Sequence, residues 1–170
     1  LSPDGKWMSY AYQPNDGDAT LFVKQLDGDK IFTIPIGSAP AAAGGGGGGG
    51  GATVQFSDDS RFVAYYVNPP AAAGARGGRG GGGAGGGRGA APQGGAAVAA
   101  RPARRFEALD LTTGEKFAVP NGASFKFAKG SARLAVRANK APADTSFKGA
   151  DLVLRDLRTA ATRNVGNVNE

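Results

Sequence analysis

Four features of this sequence could be read as chemistry: a serine in a partial nucleophile motif, three close pairs of aspartates, a glycine tract and an arginine-glycine segment. The serine is Ser124 in Gly122-Ala123-Ser124-Phe125-Lys126. A nucleophile elbow reads G-x-S-x-G and turns from a strand into a helix, whereas here the last glycine is missing and a strand follows. A serine also needs a base to accept its proton, and the chain has no histidine. Without histidine or cysteine, a Ser-His-Asp triad, a Cys-His dyad, a histidine-ligated zinc site and a disulfide are all excluded. Ser124 is therefore read as structural, and no residue is assigned as catalytic.

The acidic pairs are Asp16 with Asp18, Asp27 with Asp29, and Asp58 with Asp59. Calcium favours several carboxylate oxygens at D-x-[DN]-x-[DN]-G spacing, which none of these has. Each falls where a turn is expected, so their carboxylates are read as partners of turn amides, and no metal site is assigned. The tract Gly44 to Gly51 has no Lys-Ser/Thr ending and no G-x-G-x-x-G before a helix. It is neither a phosphate loop nor a dinucleotide fingerprint, so no cofactor is expected. Arg76-Gly77-Gly78-Arg79-Gly80 resembles the arginine-glycine repeats that bind RNA by charge and guanidinium stacking. Its arginines have no phenylalanine or tyrosine among them, and nucleic-acid binding is not expected; the segment reads as a low-complexity loop.

These candidates sit in an uneven chain. Gly44 to Gly51 and the stretch from Asn68 to Arg105 together hold 21 of the 30 glycines among 170 residues. Such stretches bury too little apolar surface to offset the entropy of ordering them, and both are expected to be disordered inserts. The net charge of +6 has the same origin: the Asn68 to Arg105 stretch carries six arginines and no acid, leaving fourteen residues of each sign elsewhere. Basicity belongs to the insert and not to the folded part. No run approaches the roughly 20 apolar residues of a membrane-spanning helix.

Outside the inserts, one unit recurs three times. Its first half is a turn and a strand: Leu1 to Tyr10 (LSPDGKWMSY), Phe56 to Tyr65 (FSDDSRFVAY) and Phe127 to Val136 (FAKGSARLAV). Its second half is a hairpin, read from apolar runs broken by turn residues: Leu21 to Ile36, Phe106 to Val119 and Leu152 to Val165. Short strands ahead of the turns, at 53–56 and 123–127, bring the unit to about four strands, the size of a propeller blade. In the turn Ser2-Pro3-Asp4-Gly5, proline presets φ, aspartate can accept bonds from amides ahead of it, and glycine takes positive φ without penalty.

The expected fold is all-β: a partial β-propeller of about three four-stranded antiparallel blades with Gly/Ala/Arg-rich inserts. The expected divisions are a blade at 1–40, a Gly-rich linker at 41–52, a second blade at 53–67 and 105–122 interrupted by the insert at 68–104, and a third blade with the start of the next at 123–170. A chain that opens within a turn motif and stops without a closing element is expected to be part of a larger protein. Its first and last sheets should expose faces that neighbouring blades cover.

Leu1-Ser2-Pro3-Asp4-Gly5-Lys6-Trp7-Met8-Ser9-Tyr10, Phe56-Ser57-Asp58-Asp59-Ser60-Arg61-Phe62-Val63-Ala64-Tyr65-Tyr66 and Leu109-Asp110-Leu111-Thr112-Thr113-Gly114-Glu115-Lys116 carry a family likeness. The chain resembles the propeller domain of bacterial serine peptidases of the prolyl oligopeptidase family, some of which carry similar Gly-, Ala- and Arg-rich inserts. The resemblance implies an amino-terminal propeller over a carboxy-terminal α/β-hydrolase domain that holds the Ser-Asp-His triad. It implies a propeller that restricts peptide substrates on their way to that triad, cleavage through an acyl-enzyme, and a periplasmic or secreted location. No residue here matches a triad motif, so none is carried over. The same Ser-Pro-Asp-Gly turn recurs in TolB-like propellers, which gives a second reading: a protein-binding propeller with no enzyme attached.

Overall fold

In the computed structural model the described residues are 1–14, 17–38, 54–70, 104–139 and 149–168. The linker expected at 41–52 and all but the ends of the insert expected at 68–104 lie outside them. Every regular element among the described residues is a strand. Sheet I contains β1 (Trp7–Tyr12), β2 (Ala19–Gln25) and β3 (Ile31–Gly37). Sheet II contains β4 (Gln55–Phe56), β5 (Phe62–Val67), β6 (Arg105–Asp110) and β7 (Lys116–Val119). Sheet III contains β8 (Gly122–Phe127), β9 (Arg133–Ala138), β10 (Ala150–Asp156) and β11 (Thr162–Val168). Each strand pairs antiparallel with its chain neighbour, so every sheet is a meander. Sheet I has no counterpart of β4 and β8.

The sheets stack face to face, with sheet II in the middle. Its strand β5 is aromatic or β-branched at every position but Ala64, and all six residues are buried, as a strand covered on both faces should be. Alternation divides them. Val63, Tyr65 and Val67, with Leu109 and Leu111, meet Trp7, Leu21, Val23, Ile34 and Ile36 of sheet I. Phe62, Ala64 and Tyr66, with Phe106, Ala108 and Val119, meet Phe127, Leu134, Val136 and Leu157. Tyr66, Phe106, Phe125 and Phe127 form a chain of ring contacts with centroids 4.9 to 6.2 Å apart across the second interface. Successive antiparallel meanders, one of three strands and two of four, stacked in this way are the architecture of a partial β-propeller.

A glycine allows one close junction between sheets. Gly37 has φ +72°, and a Cβ there would overlap the Asn68 carbonyl oxygen. With glycine in place, the Asn68 N–H donates to the Ile36 carbonyl at 2.9 Å and the Ser38 N–H to the Pro69 carbonyl at 3.1 Å. The end of β3 is thereby tied to the end of β5.

Sheet I leaves its other face uncovered. Met8, Tyr10, Tyr12 and Leu26 occupy the positions that Val63, Tyr65, Val67 and Leu111 hold in sheet II, where all four are buried. In sheet I, Tyr10 is 47%, Tyr12 60% and Leu26 49% exposed, and Tyr10 stacks on Phe22 at 5.1 Å. In addition β1 pairs only with β2, so its outer backbone edge is open. The chain alone is therefore expected to self-associate, and Tyr10→Lys with Tyr12→Lys to shift it towards monomer in sedimentation velocity. A monomeric parent chain with a cooperative thermal transition would contradict this.

Candidate functional site

The meanders place short turns at one end of the stack: 2–6 and 26–30 in sheet I, 57–61 and 111–115 in sheet II, 128–132 and 157–161 in sheet III. The longest connections, from β3 to β4 and from β5 to β6, leave from the opposite end. Among the described residues, most of the side-chain hydrogen bonds lie at the turn end.

Each of the first two unit turns is closed by its own serine and aspartate. The Ser2 hydroxyl donates to Asp4 Oδ1 at 2.6 Å and accepts from the Trp7 N–H at 2.9 Å. Asp4 Oδ1 also accepts the Lys6 N–H at 3.0 Å. Sheet II repeats the arrangement: the Ser57 hydroxyl donates to Asp59 Oδ1 at 2.6 Å and accepts from the Phe62 N–H at 2.9 Å, while Asp59 accepts the Arg61 N–H at 3.2 Å. In sheet III alanine stands at position 128, and the backbone bonds remain, from the Ala128 N–H to the Arg133 carbonyl at 2.8 Å and from the Ser131 N–H to the Ala128 carbonyl at 2.9 Å. The Ser2 hydroxyl and the Lys6 amide hold the Asp4 carboxyl below its ordinary range.

The turns are also bonded to one another. Ser60 and Ser131 stand where the first turn has Gly5, and both keep a positive φ, +57° and +58°. The Ser60 hydroxyl oxygen accepts the Asp4 N–H, and the Ser131 hydroxyl oxygen accepts the Asp59 N–H, each at 3.1 Å. Asp58 Oδ2 accepts the Gly130 N–H at 3.0 Å. Both serines are buried. A serine held at positive φ costs backbone energy that glycine would not, and here its hydroxyl satisfies an amide of the preceding sheet. Sequence reasoning assigned Ser60 and Ser131 no role; the available signal was a serine at the glycine position of a recurring turn.

Two further contacts fasten this end. Lys30 Nζ donates to the carbonyls of Leu111 and Thr112 at 2.8 and 2.9 Å, joining sheet I to sheet II. Arg61 donates to Asp110 Oδ2 through Nε at 3.0 Å and Nη2 at 2.7 Å, while Asp110 Oδ1 accepts the Thr112 and Thr113 amides. Burial works against the Asp110 charge, but Arg61 and the two amides outweigh it and hold the carboxyl below its ordinary range.

Inside the first interface lies a buried carboxylate. Glu107 stands opposite Tyr65 in register; the Tyr65 hydroxyl donates to Glu107 Oε2 at 2.8 Å and Arg105 Nε to Oε1 at 2.6 Å. Burial, followed by the Glu107 charge, raises the Tyr65 phenol far above its usual range, so it remains a donor. Both carboxylate oxygens are satisfied, which makes the burial tolerable.

The residues singled out by type do not converge on a catalytic arrangement. Ser124 is exposed on β8 opposite Arg137. Asp27 and Asp29 are exposed in the β2–β3 turn, where Gln25 Nε2 donates to Asp27 at 3.1 Å. Asp58 and Asp59 bind turn amides. Asp18 lies beside β2; Asp16, the tract 44–51 and the segment 76–80 are outside the described residues. Among the described residues no three acidic, histidine or cysteine side chains gather in a metal-binding group.

No family model matches the sequence, and no curated protein does. Solved structures similar to it include the β-propeller domain of the Trilobed protease from Pyrococcus furiosus, with an open velcro topology, at 11% identity and a TM-score of 0.49 over 95% of this chain and 39% of that one. TolB from Acinetobacter baumannii is similar at 9% identity and a TM-score of 0.44, over 96% of this chain and 30% of that one. An acylaminoacyl peptidase in complex with Z-Gly-Gly-Phe-chloromethyl ketone is similar at 13% identity and a TM-score of 0.44, over 97% and 24%. The chain spans well under two thirds of the length of each.

Two outcomes are expected at the turn end. Ser60→Ala and Ser131→Ala should each lower stability in urea titration by about 1 kcal/mol, because the hydrogen bond is lost while the positive φ remains. Ser60→Gly should lose less, since it relieves the backbone. For Asp110, a carboxyl held low only in the folded state stabilises fully above its unfolded value of about 4 and loses that contribution as pH falls through the lowered value. Acid titration of the fold should therefore show a loss of stability below about pH 4 that is reduced in Asp110→Asn.

Proposed function

We propose that this chain is a non-catalytic part of the propeller of a serine peptidase of the prolyl oligopeptidase family, gating peptide access to an α/β-hydrolase domain elsewhere in the same protein. The observation that carries the reading is the recurring unit turn, Ser-x-Asp-Gly in sheet I and Ser-x-Asp-Ser in sheet II, set on stacked antiparallel sheets and bonded from sheet to sheet. A gate needs a framework that holds its shape while substrates pass, and linked turns on a two-sided core supply rigidity at one end. The polar groups described at that end are engaged in holding the framework, and the chain has no histidine to act as a base. In this reading the acyl-enzyme chemistry belongs to the hydrolase domain, and the propeller selects substrates by size.

The test uses the intact protein that contains this chain. A fluorophosphonate probe should label a serine outside residues 1–170, and short peptides should be cleaved in preference to a long unfolded polypeptide. Loosening the turn end with Ser60→Ala and Ser131→Ala together should narrow that preference while short-peptide turnover is kept. Absence of both probe labelling and peptide hydrolysis would sink the peptidase reading and leave the TolB-like, partner-binding propeller in its place.

A further inference from the structure

At the turn end, sheets II and III part to leave a cleft of about 460 Å³, within the usual size range of small-ligand sites. Its apolar lining is Phe62, Ala108, Phe117 and Leu157. The charged groups around it are Arg61, Asp110, Glu115, Lys116, Arg155 and Arg158. They are unevenly committed. Arg61 and Asp110 neutralise each other at 2.7 Å. The Arg155 guanidinium lies over the Phe117 ring at 4.6 Å and donates through Nη1 to Thr162 Oγ1 at 2.8 Å, which fixes its plane and leaves its other nitrogens without a partner among the described residues. The side chains of Lys116 and Arg158, which also line the cleft, have no partner among the described residues. Three uncommitted or partly committed cations, contributed by both sheets, therefore surround an apolar floor, with the Glu115 carboxylate as their one opposing charge.

We propose that this cleft binds an acidic peptide segment, seating an apolar side chain on Phe62, Phe117 and Leu157 and a neighbouring carboxylate against Arg155, Arg158 and Lys116. A planar, pre-oriented guanidinium suits a carboxylate, which it can meet with two parallel N–H donors. Burying an aliphatic or aromatic residue beside that pair adds affinity that charge alone does not give. A peptide held by Lys116 of sheet II and by Arg155 and Arg158 of sheet III would also bridge two sheets, so occupancy should stiffen their junction. The proposal does not depend on whether the intact protein is a peptidase.

The test is fluorescence anisotropy of a labelled short peptide alternating leucine and glutamate, titrated with the intact protein at low and moderate salt. Binding is expected, together with a raised thermal midpoint. Arg155→Glu with Arg158→Glu should weaken it by roughly tenfold or more, and a serine-glutamate peptide lacking the apolar residues should bind less. Lys126→Glu with Arg163→Glu, exposed cations on β8 and β11 outside the cleft lining, removes the same charge and should leave affinity nearly unchanged. No binding at low salt would overturn the proposal. Equal losses for the Lys126/Arg163 and the Arg155/Arg158 variants would also overturn it, by showing attraction to net charge alone.

Discussion

Sheet II must hide both of its faces at once, and most of the architecture follows from that constraint. A strand such as β5, aromatic or β-branched at nearly every position, has no side to offer water. Its odd residues require one apolar layer and its even residues another, and sheets I and III supply them. The two interfaces are chemically different. The first is largely aliphatic, with Tyr65, Trp7 and a satisfied Glu107; the second is dominated by aromatic rings from β5, β6 and β8. Each layer covers one face of its neighbour and presents the other, so the stack is repetitive in form while its contacts are local.

Apolar layers alone would allow sheets to slide or rotate, because hydrophobic contact has little direction. Hydrogen bonds at the turn end supply the direction. The Ser60 and Ser131 hydroxyls satisfy amides one sheet back, and Lys30 reaches carbonyls one sheet forward. Positive φ at both serines is the backbone geometry that comes with this arrangement. The polar groups described there are thus consumed largely by architecture. The cleft beside Arg155 and Phe117 differs, because there the side chains of Lys116 and Arg158 lie next to apolar surface without a partner among the described residues.

Much of the fold was legible because its signals are local. The recurring turn and the apolar runs mark three units, and the continuous run from Phe62 to Val67 reads as a strand with no solvated face. Aspartate in the turn accepts the amides ahead of it, and Gly5 has the positive φ expected of it. The site was far less legible. Ser60 lies 56 residues from Asp4 and Ser131 lies 72 from Asp59, distances over which no spacing rule links a hydroxyl to an amide. Arg155, Phe117 and Phe62 are likewise remote in sequence and meet only because two sheets stack.

The sequence by itself determined the all-β class, the repeat and the absence of histidine- and cysteine-based chemistry, because composition and short-range periodicity act within a few residues. Tertiary structure alone decided which face of each sheet is covered, that Tyr65 and Arg105 would share the buried Glu107, and that serines at a glycine position would bond the turns together. Those outcomes depend on groups brought close by stacking, where loss of water makes an unpaired amide or carboxylate costly and selects the partner that can satisfy it.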